Sequence, residues 1–472
     1  MKDLTQGSAT KIILAMAIPV AAGMVFQTLY LLVDLYFVAA IGDDAVAGVG
    51  AAGTILFMIM ALTQVLGVSA VALISQSVGR KDQAEANIVF NQSVVLSIIC
   101  ALITLVAGYS LARPYLGVIT ADKAALEQGL TFLYWFLPGM ALQFALMAMS
   151  SSLRATGIVK PTMIIQVLTV VLNTLLAPIL IAGWGPGPAL GVLGAGLASS
   201  LSIAVGIILL TVYFVKLEKY VAFQPRSWRP RLDIWKRMFE IGLPAGGEMA
   251  ILFLYFSMVY WLIQDFGASA QAGFSIGGRI MQSIFMPTMA IAFAIGPIIG
   301  QNFGAGLPDR VRDTFNKGIL LSSIVMAFTT VLLQWRPELL VELFTSEAEV
   351  IEVGAVFLQL ISLNFIAQGI VFTCSGVFQG LGNTRPALLS SVIRLSVFIP
   401  FAVYLKYQPG FAIEQVWYVS IVSVTIQGIV SYLLVRRELS KKLVNLSPTA
   451  TSLTAGAVEP APLDSEELAN TV

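Results

Sequence analysis

Residues 75–86 read SQSVGRKDQAEA, and residues 300–312 read GQNFGAGLPDRVR. One offset of 225 residues aligns them, setting Gln76 on Gln301 and Gly79 on Gly304. Without a gap, the same offset sets Pro19 on Pro244, Gly42 on Gly267, Gly48 on Gly273 and Gly53 on Gly278. Further along it sets Phe90-Asn91 on Phe315-Asn316, Thr120 on Thr345, Phe132 on Phe357, Gly157 on Gly382 and Pro161 on Pro386. A single register held from Pro19 to Pro161 marks an internal duplication.

The duplicated unit is a membrane unit. Of 472 residues, 57% are hydrophobic and 11% charged; soluble domains carry about 25% charge. Segments able to cross a bilayer, about 20 apolar residues each, recur twelve times. They lie near 12–40, 46–78, 87–112, 126–152, 160–183, 190–216, 238–263, 270–300, 314–335, 350–377, 384–406 and 412–435. The first run is too long for a cleavable signal. Pro19, Pro138, Pro244, Pro287, Pro297 and Pro400 fall inside spans and predict kinks.

With both termini cytoplasmic, the lysines and arginines collect on the inner side. Only Arg113, Lys123, Arg279, Arg336 and Lys406 fall outside, and Arg394 falls within a span. Each repeat holds six spans, so the halves share one orientation. This predicts an all-α polytopic membrane protein, twelve transmembrane helices in two six-helix lobes related by a parallel repeat. Such pairs work by alternating access around a site between the lobes. The expected divisions are an N-lobe over 1–216, a cytoplasmic linker over 217–237, a C-lobe over 238–440 and a disordered tail over 441–472. The expected location is the cell inner (plasma) membrane, as a monomer.

An ionisable group inside a span is costly and is a functional candidate by default. There are three. Asp34 lies in LLVDLYFVAAIG (31–42), roughly 34 Å along a straight helix from Lys11. Glu248 lies roughly 16 Å past Arg237, near mid-membrane. Arg394 is the third, read as an ion-paired brace of the second lobe. Under the repeat, Asp34 falls on Val259 and Glu248 on Gly23. Gly23 precedes Asp34 by eleven residues, three helical turns plus about 20°. The two acids thus share one face of equivalent helices at different depths. Facing a common cleft, they would take up H+ or Na+ on one side and release it on the other. The bland alternatives are a solvated Asp34 and a Glu248 paired with Gln27 or Asn364. Phe26, Tyr30, Tyr36, Tyr255 and Phe256 on the first and seventh spans are candidate contacts for an apolar cargo, and 16 methionines would suit a re-packable site.

Other classes find little support. Net charge is +1, with no basic patch for nucleic acid. There is no histidine, no HExxH, no GxSxG and no GxxxxGK[ST], which argues against an intramembrane enzyme or an ATP-driven pump. Cys100 and Cys374 lie in apolar runs in different halves and read as buried and inert. No cofactor is expected beyond the transported ion.

At this level of detail the chain resembles the multidrug and toxic compound extrusion (MATE) family. QTLYLLVDLYFVAAIGDDAVAGVG (27–50) resembles that family's first-span signature, with Gln27 and Asp34 seven residues apart. The two stretches quoted first resemble its inner loops after spans two and eight. LRATGIVKPTM (153–163) and FQGLGNTRPALLSS (378–391) resemble those after spans four and ten, and GLPAGGE (242–248) a bacterial seventh-span start. The resemblance implies an exporter of cationic amphiphiles driven by inward H+ or Na+, with the bilayer and small organic compounds as its partners. It implies coupling roles for Asp34, for Glu248, which stands about one turn nearer the start of its span than the family's acid, and for Asn173 and Gln27, with Gln368 beside them; Arg394 stays a brace or ion pair from its place in a span. Two positions depart from the pattern. In LNTLLAPILI (172–181) Asn173 is kept but Ala177 replaces an acid, and Gln368 stands where one branch has an acid. A lipid-linked oligosaccharide flippase of the same superfamily is the alternative. Its anionic cargo would call for several basic groups in the central spans, where this chain has two acids and one arginine.

Overall fold

Apolar stretches of this length leave the backbone no water to bond, so each closes its own hydrogen bonds as a helix. The computed structural model describes residues 2–120, 122–184 and 188–444, and of residues 30–32, 34 and 35 the backbone alone. Among the described residues there are twelve helices long and apolar enough to cross a membrane, and no strand. The first six are α1 (Ala9–Ala39), α2 (Asp43–Gly79), α3 (Gln83–Ile119), α4 (Lys123–Ala155), α5 (Lys160–Ala182) and α6 (Val192–Lys216). The second six are α7 (Leu232–Ile263), α8 (Ala268–Gly304), α9 (Pro308–Trp335), α10 (Ala348–Gly380), α11 (Arg385–Lys406) and α12 (Ile413–Val444).

Helices α2, α3 and α8 each run 37 residues. That is about 55 Å, well beyond the roughly 30 Å hydrocarbon layer, so their ends extend past it. Asp82 caps α3 by accepting from the Glu85 amide at 2.9 Å. The extensions carry the helices past the apolar runs: α7 starts at Leu232, inside the expected linker, and α12 runs through Lys441 to Val444. The rest of the expected tail, from 445 on, lies outside the described residues.

The repeat is visible in the packing. In the first half α1 packs on α5, α2 on α4, α3 on α4, α4 on α6 and α5 on α6; in the second, α7 packs on α11, α8 on α10, α9 on α10, α10 on α12 and α11 on α12. Even the kinks correspond. Proline 138 interrupts α4, and α10 breaks into a 3-10 turn at Ser362–Asn364, one repeat away. Each break is satisfied by side chains: Ser200 Oγ donates to Trp135 O at 2.6 Å, and Gln334 Nε2 donates to Gln359 O at 2.7 Å.

The halves meet through α1 on α8, α2 on α7, and α2 on α8. At the end of the bundle that holds residue 2 and Val444, their first turns are exchanged. Ile13 and Met16 of α1 are buried in a core with Ile298, Phe315, Phe378 and Leu439 of the second half. Met238 and Ile241 of α7 are buried with Leu66, Leu73 and Phe90 of the first. The lobes are therefore not two separate six-helix cores.

Candidate functional site

Glu248 follows Pro244 by one turn on α7 and is half-buried. Ser375 of α10 donates its hydroxyl to Glu248 Oε2 at 3.1 Å, and Gln379 Nε2 backs the serine at 3.4 Å. Neither Gln27 nor Asn364, the partners considered from sequence, bonds this carboxylate. Gln27 bonds Gln166, and Asn364 is buried at the α10 break. Among the described residues no Lys or Arg nitrogen lies within 4.0 Å of Glu248. Gln368 is buried on α10. It precedes Ser375 by seven residues, two turns, and so shares its face.

In the first half the counterpart of Glu248 is Gly23, and a Cβ there would stand 2.6 Å from Gln166 Oε1. Gln166 Nε2 donates to Gln27 Oε1 at 3.3 Å. Gln166 of α5, paired with Gln27 of α1, thus fills the space over Gly23 where the second half holds the Glu248 side chain. The halves are alike in backbone and unlike in charge.

Asp34 and Tyr30 lie on α1, but their side chains are outside the described residues. Asn173 is buried on α5 with its Nδ2 3.4 Å from Ser199 Oγ, and its Oδ1 has no hydrogen-bond partner among the described residues. Ala177, one turn on, is buried as well. Phe26 is half-buried near Gln27 in sequence, whereas Tyr36 is 73% exposed. With Leu29, Val33, Phe37, Leu175 and Trp184, Tyr36 lines an apolar cavity of ≈ 670 Å3 between α1 and α5.

Arg394 does not form the ion pair expected of it with any described carboxylate. Its guanidinium lies over the Tyr255 ring, 4.2 Å from the centroid, where the π-face supplies the negative potential. The Tyr255 hydroxyl shares a 2.6 Å hydrogen bond with Ser420 of α12. Tyr255 is 7% exposed, packed against Phe398 and Phe256, so it belongs to the core of the second half and is not a surface open to cargo. Phe256 is half-buried against Phe274. Among the described residues no three His, Cys, Asp or Glu side chains cluster as metal ligands. A cation held here would rely on single carboxylates with amide and hydroxyl oxygens.

A close backbone contact between the halves was present in the sequence but carried no assigned role. Helices α2 and α8 cross at the end of the bundle that holds residue 2. Gly79 packs against the Gln301 backbone and Gly304 against the Gln76 backbone so closely that a Cβ on either would collide. Gln76 Nε2 donates to Gly380 O at 2.9 Å, and Gln301 Nε2 to Ala155 O at 2.8 Å. Both bonds are one repeat apart at donor and acceptor alike. Here the two halves are in direct backbone contact. The connecting segment is also held. Asn87, Asn91 and Gln92 of α3 bond the backbone of residues 220–231, with Asn91 alone accepting from Gln224 N and Trp228 Nε1 and donating to Ala222 O. Three amide side chains on one face of a long apolar helix were the available sign of this strap.

Comparisons with known proteins follow the same pattern. The chain is 27% identical over 389 residues to the "Probable multidrug resistance protein NorM" of Thermotoga maritima, covering 82% of this chain and 83% of that one. It is 25% identical over 396 residues to the multidrug export protein MepA of Staphylococcus aureus, covering 83% and 86%. The fold matches that of a MOP superfamily transporter from Pyrococcus furiosus with a TM-score of 0.87 at 24% identity, covering 93% of this chain and 98% of that one. A family model described as MatE matches twice, over residues 19–179 and 244–404. Those blocks begin and end 225 residues apart, on the internal repeat, and together span more than half of the sequence: the chain belongs to the MatE family.

Proposed function

We propose that the protein is a secondary exporter of cationic, amphiphilic organic compounds, exchanging them for H+ or Na+. The names of its NorM and MepA relatives support multidrug export. The observation that carries the coupling assignment is Glu248, a carboxylate within a span, bonded by one serine and matched by no described base. Such a group is stabilised by a proton or a cation. Binding of cargo and of coupling ion at overlapping sites lets each displace the other. Asp34, on the equivalent helix, is the second coupling acid in this reading, with Gln27 and Asn173 as neutral oxygen ligands. Alternating access is a rocking of the halves that breaks the α2–α8 contact on one side. In this reading that contact and both termini are cytoplasmic, which the basic loops support, and a single copy spans the inner membrane.

The test is ethidium efflux in everted vesicles under imposed proton and sodium gradients, applied separately. Glu248→Gln and Asp34→Asn are each expected to abolish transport driven by the productive gradient while leaving the fold intact. Full transport by both variants under both gradients would overturn the assignment.

A further inference from the structure

The repeat predicts a groove on each side of the α2–α8 contact. One is filled. Residues 2–7 run through it. Lys2 N donates to Thr156 O at 2.8 Å, Leu4 N donates to Gln301 Oε1 at 3.0 Å, and Asn302 Nδ2 donates to Leu4 O at 3.3 Å. The Arg310 guanidinium holds Gly7 O at 3.1 Å, and Leu4 is fully buried. This short segment touches both halves and seals the side where it lies.

The other groove is open. It is a cavity of ≈ 490 Å3 lined in part by Leu73, Gln76, Ile241, Leu381 and Gly382. These are the repeat counterparts of Ile298, Gln301, Met16, Thr156 and Gly157, the walls around residues 2–7. Even the turn agrees, with φ +79° at Gly157 and +69° at Gly382. The repeat also shows why the cavity is open. The counterparts of residues 2–7 are residues 227–232, and Gln92 holds Ser227 O, Arg229 O and Arg231 N against α3. The segment that would have filled the second groove is the one that must connect the halves.

We propose that residues 445–472 dock in this cavity. Three observations choose this occupant. The cavity keeps the peptide-binding plan of its counterpart, including a glutamine whose Nε2 is committed to the opposite half. Its rim includes Lys442, two residues before the described chain ends at Val444, so the segment begins at the cavity. The charges complement. The rim presents Arg237, Arg385 and Lys442 against Glu240; Arg237 pairs with Glu85 and Lys442 with Glu438, and Arg385 has no ion pair among the described residues. Residues 445–472 carry Glu459, Asp464, Glu466 and Glu467 and no lysine or arginine. The inference is independent of cargo and coupling ion.

Thiol protection in nanodiscs of neutral lipid tests it. Native thiols are removed by Cys100→Ser and Cys374→Ala, and Asn383→Cys or Glu240→Cys places a probe at the cavity. Maleimide labelling is then compared between the full chain and a chain ending at Val444. Tethering raises the local concentration of the segment to about millimolar, so protection of roughly ten-fold is expected for the full chain at either probe. Replacing all four tail acids by amides should restore fast labelling. A synthetic 445–472 peptide at millimolar concentration should slow the shortened chain, and Arg385→Gln should relieve that slowing. Equal labelling of both chains, with no effect of the peptide, overturns the proposal. Protection that persists without the tail and requires phosphatidylglycerol in the disc assigns the cavity to a lipid headgroup and overturns it too.

Discussion

Gln76 and Gln301 make the same hydrogen bond from opposite halves: each gives its Nε2 to the carbonyl of a helix end in the other half, Gly380 and Ala155. Gln301 differs in also accepting from Leu4 N. Truncation is therefore expected to be unequal. Gln76→Ala should cost about 1 kcal/mol and Gln301→Ala about 2 kcal/mol, the second leaving a buried amide without its acceptor. Thermal unfolding in detergent measures this, and equal losses would contradict the asymmetry.

Gly79→Val drives a branched side chain into the backbone of α8. Because the obstacle is main chain, it cannot turn aside. The halves must separate at this end, and transport should fall by at least roughly ten-fold, the rate equivalent of 1.4 kcal/mol. Restored transport with normal α2–α8 cross-linking would refute the reading.

Asn91→Leu leaves three strap groups unpaired, the Ala222 carbonyl, the Gln224 amide and the Trp228 indole. At about 1 kcal/mol per bond, the strap should loosen without loss of the helical bundle. Trypsin should then cut after Arg226 or Arg231 many times faster than in the parent protein, Arg229 being shielded by Pro230. An unchanged cleavage rate would show that the strap is held elsewhere.

Ser375→Ala deprives Glu248 of its one described donor, whereas Ser375→Thr keeps a hydroxyl. Hydrogen bonds to charged groups contribute about 1.5–3 kcal/mol. Efflux should thus drop roughly ten-fold or more in the alanine variant and recover in the threonine variant. Equal rates in the two would separate Ser375 from the coupling step.

Arg394→Met and Tyr255→Leu should be coupled in a double-mutant cycle by about 0.5–2 kcal/mol, the range of a cation–π contact. Tyr255→Phe keeps the ring and should preserve that coupling while losing only the Ser420 bond. A coupling near zero would mean the guanidinium is held by something other than the ring.

The duplication and the number of spans were legible because they depend on composition and register alone. The 225-residue offset reappears in the packing pairs, in the kinks near Pro138 and Ser362, and in the two MatE matches. Side-chain partners were not legible. Periodicity says that Glu248 lies in a span, but the choice of Ser375 over Gln27 depends on how α7 meets α10. Arg394 suggested a carboxylate because that is the strongest partner for a guanidinium. A tyrosine ring at 4.2 Å takes the place instead. The exchange of the first turns of α1 and α7 was hidden for a related reason. Both turns are apolar, and an apolar face does not specify which half covers it.

That exchange has a consequence for how the chain is made. As α1 to α6 leave the ribosome, Ile13 and Met16 have no core to enter, because Ile298, Phe315 and Phe378 have not yet been synthesised. The first half must wait in the membrane with one end unfinished, and α7 is the first piece to repair it from the other direction, through Met238 and Ile241. Biogenesis is thus a hand-over between an incomplete partner and a later one. Neither half, produced by itself, should survive as a finished bundle.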